Sequence, residues 1–197
     1  MVIYLYRLLA LFFLILLSSC LDDPVKSSIE DYYLSSITKS DNYVFATSSD
    51  GSILRSIDGE NWKSLPVNNS ILLLDIKSTP SGMLFACGES GAIFESTNNG
   101  DTWSKKSTGI FSFLKEIIIY NDSTIFAGGD TGKFIKSIDS GNTWKQITMP
   151  FSTEISAMAL QGNQIYIGLR GNSVSSPLIY KYDIIEDTTN EVNVEFN

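Results

Sequence analysis

Three matched stretches constrain this chain more than any other feature. Residues 137–144 read Ser-Ile-Asp-Ser-Gly-Asn-Thr-Trp, residues 96–103 read Ser-Thr-Asn-Asn-Gly-Asp-Thr-Trp, and residues 56–62 carry the same frame one residue shorter. Trp62, Trp103 and Trp144 are 41 residues apart each time. A period near 40 belongs to architectures in which one unit cannot bury its own apolar face and must stack on a neighbour. The residue types explain the local job. Asp58, Asn98 and Asp139 can turn a side-chain oxygen onto nearby backbone N–H groups, and Gly59, Gly100 and Gly141 can take the positive φ that closes a bend. Each tryptophan then opens a strand with a large apolar surface, and its indole N–H can reach a carbonyl.

Around these turns the chain reads as short strands, four to a unit. Unit two is expected to place them at 71–78, 82–88, 92–96 and 102–107, and unit three at 113–120, 124–129, 133–137 and 143–148. The first strand of each is almost continuously apolar (Ile71-Leu-Leu-Leu, Ile117-Ile-Ile-Tyr), as in a strand covered on both faces. The last alternates, as in Trp144-Lys-Gln-Ile. Unit one spans about 31–65 with 33–38 as its inner strand. Unit four spans about 151–197, with strands at 154–160, 164–169, 177–182 and 191–196. In that unit Asp183-Ile-Ile-Glu-Asp-Thr-Thr replaces the turn, without glycine or tryptophan.

Pattern and period resemble the Asp-box, or BNR, repeat of β-propellers such as sialidases, sortilin-type receptors and proteins similar to the photosystem II assembly factor. The structural residues of that motif map onto Ser56, Asp58, Gly59 and Trp62, onto Ser96, Asn98, Gly100 and Trp103, and onto Ser137, Asp139, Gly141 and Trp144. The resemblance implies an all-β, propeller-like domain over residues 29–197, with four blades of four antiparallel strands at about 31–65, 70–107, 110–148 and 151–197. Most such propellers have six to eight blades. Three arrangements therefore fit: a closed ring of four, an open arc whose end faces need cover, or a short chain that associates with another copy of itself.

The start of the chain is of another kind. Arg7 precedes ten apolar residues, 8–17, followed by Ser18-Ser19-Cys20. This is the layout of a secretory signal whose apolar core is too short for a membrane span. The small residues before Cys20 resemble the bacterial lipobox, which implies a signal peptide over 1–19, a diacylated Cys20 and a tether over 20–28. Two or more acyl chains hold a protein stably on a membrane. The acidic Asp22-Asp23 close behind is similar to export signals of surface lipoproteins in Bacteroidota. The expected location is the cell envelope, on the outer membrane, facing the periplasm or the surface.

Composition removes several function classes. The formal charge of −8 becomes −9 without Arg7, so phosphate backbones are repelled and nucleic acid is not an expected partner. There is no histidine, which removes the usual general base and the commonest zinc ligand. With Cys20 carrying lipid, Cys87 stands alone in an apolar strand, where a thiol behaves as a small hydrophobe. No metal loop or phosphate-cradling motif is present, and no cofactor is expected.

The resemblance also implies where a ligand would bind. Asp-box turns join third and fourth strands on one face, whereas ligands meet the opposite face, built from the turns between second and third strands and from the links between units. Here that face offers Asp50, Glu89, Asp130, Arg170, Phe111 and Phe151. Acidic, basic and large apolar groups together suit a protein or glycan partner. The bland alternative is that Asp50 and Asp130 are ordinary turn residues while Phe111 and Phe151 plug gaps between units. Sialidases clamp a carboxylate with three arginines, but after the leader this chain has only Arg55 and Arg170. The photosystem-assembly relatives carry a basic patch, which this acidic chain lacks. The reading is a noncatalytic, lipid-anchored interaction module. The alternative is a glycosidase of another type, with two carboxylates drawn from residues such as Asp50, Glu89 and Asp130.

Overall fold

The computed structural model describes residues 33–67, 71–171 and 179–194. The expected leader, Cys20 and the tether lie outside the described residues. Four sheets follow one another along the chain. The first contains β1 (Leu34–Ser40), β2 (Tyr43–Ser48), β3 (Ser52–Ser56) and β4 (Trp62–Pro66). The second contains β5 (Leu73–Ser78), β6 (Leu84–Gly88), β7 (Ile93–Ser96) and β8 (Ser104–Lys106). The third contains β9 (Leu114–Ile119), β10 (Ile125–Gly129), β11 (Phe134–Ser137) and β12 (Lys145–Ile147). The fourth contains β13 (Ile155–Gln161), β14 (Gln164–Leu169), β15 (Ile179–Asp183) and β16 (Thr188–Glu191). Each sheet is a four-stranded antiparallel meander in chain order. The all-β class and the four blades of four antiparallel strands are therefore as the repeat pattern predicts.

One strand is displaced from its expected place. The last strand lies at Thr188–Glu191 rather than 191–196, because Asp183 pairs directly with Thr188 across a tight turn. Asp183 Oδ1 accepts the N–H groups of Ile185 and Glu186 at 3.0 Å each, and Asp187 adopts a φ of 53°. An Asx-type turn closes this hairpin without the glycine used in the other sheets.

Strand register gives every sheet two faces, and in the two middle sheets one looks to the preceding sheet and the other to the following one. Ile76, Ala86 and Phe94 share the backward face of the second sheet, while Phe85 and Glu95 share its forward face. Three apolar clusters result. Phe45 and Ile53 of the first sheet meet Ile76 and Phe94 of the second. Phe85, Cys87 and Ile93 meet Ile117 and Ile135 of the third. Phe126 and Phe134 meet Ile167, Tyr180 and Tyr182 of the fourth. The inner strands pack in sequence, β1 on β5, β5 on β9 and β9 on β13. A closed ring of four would need a fourth cluster between the first and last sheets; the described residues form none. The arc is open.

Polar clasps join the inner strands as well. Ser36 donates its hydroxyl to Asp75 Oδ1 at 2.5 Å, and Asp75 Oδ2 accepts the N–H of Ile117 at 2.8 Å. Glu116, one sheet on, accepts the N–H of Met158. Matched positions of successive sheets thus tie each inner strand to the next. Burial, with the Asp75 charge beside it, pushes the Glu116 carboxyl above its ordinary value.

Candidate functional site

The three matched turns have one geometry. The serine hydroxyl accepts the glycine N–H at 2.9 Å in all three, Ser56 from Gly59, Ser96 from Gly100 and Ser137 from Gly141. The third residue accepts the N–H just before the tryptophan, at 2.8 Å for Asp58 and Asn61, 3.0 Å for Asn98 and Thr102, and 2.8 Å for Asp139 and Thr143. The glycines take φ of +80°, +80° and +77°. In the two longer turns Asn99 and Ser140 also sit at positive φ, which accommodates the residue that the first turn lacks. Hydrogen bonds from the Thr143 side chain and backbone hold the Asp139 carboxyl down at about 2. Those from Asn61 hold Asp58 well below the usual carboxylate range.

Each indole N–H donates to the carbonyl of its own turn glycine, at 3.1 Å for Trp62 and 3.0 Å for both Trp103 and Trp144. The rings are not deep in the cores. Trp103 and Trp144 are half-buried against the first and second inter-sheet clusters, and Trp62 is exposed. Anchoring the N–H three residues back keeps the rings of Trp103 and Trp144 over their cluster rims. In the last sheet Tyr182 replaces the turn serine; its ring meets Phe126 and Phe134 edge-on, and its hydroxyl donates to Asp187. These turns are structural in their contacts.

The opposite face carries the expected ligand-face residues. Antiparallel strands put the turns between second and third strands at the other end of every sheet, together with the inter-sheet links. One hydrogen bond repeats there: the N–H groups of Ser49, Glu89, Asp130 and Arg170 donate to the carbonyls of Tyr33, Leu72, Phe113 and Glu154, at 3.0, 2.9, 3.0 and 2.9 Å. Asp130 and Arg170 are thus matched positions in neighbouring sheets. They line one cavity of about 430 Å³ with Thr131, Ser152, Thr153 and Glu154.

Charges in that cavity are paired. Lys115 Nζ lies 2.8 Å from Asp130 Oδ1 and 2.6 Å from Glu154 Oε1, and Arg170 Nη1 lies 3.4 Å from Glu154 Oε2. The Lys115 hydrogen bond is the largest influence holding Glu154 below its ordinary value. Partial burial alone would lower Lys115, but its bonds to Asp130 and Glu154 outweigh that and raise it. Lys115 and Glu154 escaped sequence reading. The signal was present, since positions matched to Glu154 hold Leu72 and Phe113, so a carboxylate there breaks an apolar column.

The remaining expected residues do not join this group. Asp50 serves its own turn: burial would raise its carboxyl, but the Ser52 side-chain and backbone hydrogen bonds, at 2.7 and 2.9 Å, leave it lowered. Glu89 is half-buried at the matched turn of the second sheet. Phe151 plugs a gap, its ring 4.7 Å from that of Tyr180. Phe111 is 91% exposed. The difference follows from the links: a Cβ on Gly91 would meet the carbonyl of Ile110 and one on Gly132 that of Phe151, so the residue matched to Phe151 is the buried Ile110. Among the described residues no group of three or more metal-ligating side chains could hold an ion.

Comparison with known proteins agrees with this architecture. A family model described as DUF6242 beta propeller domain matches residues 22–112. No curated protein matches the chain. Among solved structures, YCF48 from Cyanidioschyzon merolae superposes with a TM-score of 0.65 at 12% identity, over 80% of this chain and 55% of that one. Virginiamycin B lyase from Staphylococcus aureus gives 0.70 at 14% identity, over 82% and 55%. The GH74 enzyme of Niastella koreensis gives 0.67 at 19% identity, over 80% and 30%. The chain spans about half the length of the first two and less of the third. Enzymes and a protein not titled as one share this arrangement, and what the likeness shows is the β-propeller fold.

Proposed function

We propose that this chain is a noncatalytic, lipid-anchored interaction module of the cell envelope, its three matched turns acting as structural Asp-boxes. The loop face around Lys115, Asp130, Glu154 and Arg170 takes a protein or glycan partner. The observation that carries the reading is the charge pairing on that face. A glycosidase needs one carboxyl raised toward neutral pH as its acid. On the loop face Asp50 and Glu154 are both shifted the other way, and the raised Glu116 is bonded to the N–H of Met158 between inner strands. Paired charges, together with the exposed Phe111 of another inter-sheet link, suit a contact surface, where opposite charges set register and an aromatic ring supplies area. A structure titled YCF48 bound to D1 peptide is a precedent for a peptide on this fold.

Arrays of glycans and peptides probed with the purified protein test the binding half. Retention should fall in Arg170→Glu and Phe111→Ala while the circular dichroism of both variants matches wild type. Turnover of any glycoside in a broad panel removes the noncatalytic assignment. Anchoring rests on the lipobox resemblance at Cys20 and on the short apolar leader before it. Cys20→Ala should release the protein from membranes and abolish labelling by fatty acid; unchanged membrane retention sinks that half alone.

A further inference from the structure

The two ends of the arc match each other as the internal interfaces do. At two of those interfaces an aromatic ring on the second strand of one sheet sits on the turn glycine of the next. A Cβ on Gly100 would lie 3.1 Å from Phe45 Cε1, and one on Gly141 2.6 Å from Phe85 Cε1. Beside that ring, a cation of one sheet reaches the next residue of the turn. Arg55 bonds Asp101 at 2.7 Å and Lys136 lies 3.6 Å from Asp187 at the matched place in the last turn; in the second sheet the position paired with Phe85 is Glu95, which holds Lys106 of the outer strand at 2.6 Å, and Lys106 bonds Asn142 at 3.4 Å.

The forward face of the fourth sheet repeats one half of this device with no fifth sheet beside it among the described residues. Tyr166 stands where Phe45, Phe85 and Phe126 stand, half-exposed rather than buried. Lys181 pairs with it across the strands as Arg55 pairs with Phe45 and Lys136 with Phe126. The backward face of the first sheet holds the other half. Nothing lies within 4 Å of a Cβ built on Gly59, Trp62 is exposed, and Glu60 occupies the place of Asp101. Ile37, matched to the fully buried Ile76 and Ile117, is 63% exposed there. Ring, seat, cation and carboxylate for a fourth interface all exist, at opposite ends of an arc whose described residues do not close on themselves.

We infer that two copies of this chain pair head to tail, Tyr166 and Lys181 of each meeting Gly59 and Glu60 of the other, to close one ring of eight blades. A heterologous contact that closes at two copies satisfies both free faces of both arcs. Opposite charges stand at the two surfaces to be joined. The matched part covers 55% of the length of two propeller structures, which carry further chain of nearly the same length beside it. The inference is independent of what binds the loop face.

Sedimentation equilibrium of the full chain in density-matched detergent tests it. Wild type should sediment at twice the chain mass in the micromolar range. Glu60→Lys and Lys181→Glu each set like charges against one another, and each alone should weaken association at least about tenfold. Mixing the two variants should restore it. At one junction Lys181 of the first variant then meets Glu60 of the second, and at the other the two introduced side chains meet with opposite charges. A monomeric wild type overturns the inference, whether the faces are covered by residues 1–32 or by another protein. Indifference of the dimer to both swaps overturns it too. Absence of rescue on mixing overturns head-to-tail closure in favour of pairing between like ends. Should either variant fail to fold by circular dichroism, the wild-type mass and the effect of Tyr166→Asp decide between the same outcomes.

Discussion

Ile37 and Ile76 hold matched positions on the inner strands of the first and second sheets, yet one is 63% exposed and the other fully buried. Gly59 and Gly141 form a similar pair: both have φ near +80°, but only Gly141 has a phenylalanine ring against it. In a stack of like sheets, a residue's burial is decided by whether a neighbour stands beside its sheet, not by its own type. Among the described residues, the ends of this arc carry interface residues without the interface.

The largest expected contrast is between the isoleucines. Ile76→Ala should cost about 2–5 kcal/mol in urea unfolding, the range for truncating a packed core side chain. Ile37→Ala should cost less than about 0.5 kcal/mol at protein concentrations low enough to keep copies apart. A loss at Ile37 equal to that at Ile76 under dilution would show that its face is covered within one chain. The same variant should weaken association between copies.

The glycines come next. Alanine at either position meets left-handed backbone, a penalty of about 1–2 kcal/mol. Gly141→Ala adds a clash with Phe85 and should reach about 2–4 kcal/mol in total. Equal losses at Gly59 and Gly141 would break the comparison. Tryptophan substitutions follow the same gradient more gently. Trp144→Ala should cost about 1.5–3 kcal/mol, below the roughly 3–5 of a fully buried aromatic, and Trp62→Ala about 1.

The smallest effect is on pH dependence. Asp139 is held at about 2 by its bonds to Thr143, below an ordinary value of 3.8. Because the folded value is depressed, the carboxylate contributes stability above about pH 4 that disappears as pH falls toward 2. Asp139→Asn removes that titration while keeping the oxygen acceptor, as Asn98 does in the second turn. Its stability at neutral pH should stay close to wild type, and the fall in urea midpoint between about pH 4 and 2 should become shallower. An unchanged slope would place the acid sensitivity elsewhere.

Much of the fold was legible because turns and alternation are local. The serine, aspartate or asparagine, glycine and tryptophan of each matched stretch bond within their own few residues, so their spacing alone reveals the hairpin. The last turn was harder. Asp183 closes it by bonding its own backbone, and Tyr182 fills the space that the serine turn fills elsewhere, a substitution by shape with no shared letters. At the loop face, Asp130 and Arg170 were visible as turn residues. Lys115 in β9 and Glu154 just before β13 were hidden because their pairing crosses between sheets, 39 residues apart in the chain.

By itself the sequence determined the number of sheets, the order of strands and the turns that close the first three, since each depends on contacts within about 40 residues. Tertiary structure alone decided that the arc of described residues stays open, that Trp62 and Ile37 lie exposed while their counterparts do not, and that Lys115 ties two sheets together at the loop face. Such outcomes depend on which surfaces meet, and a repeated pattern writes the same surfaces into every unit whether or not a neighbour is there to cover them.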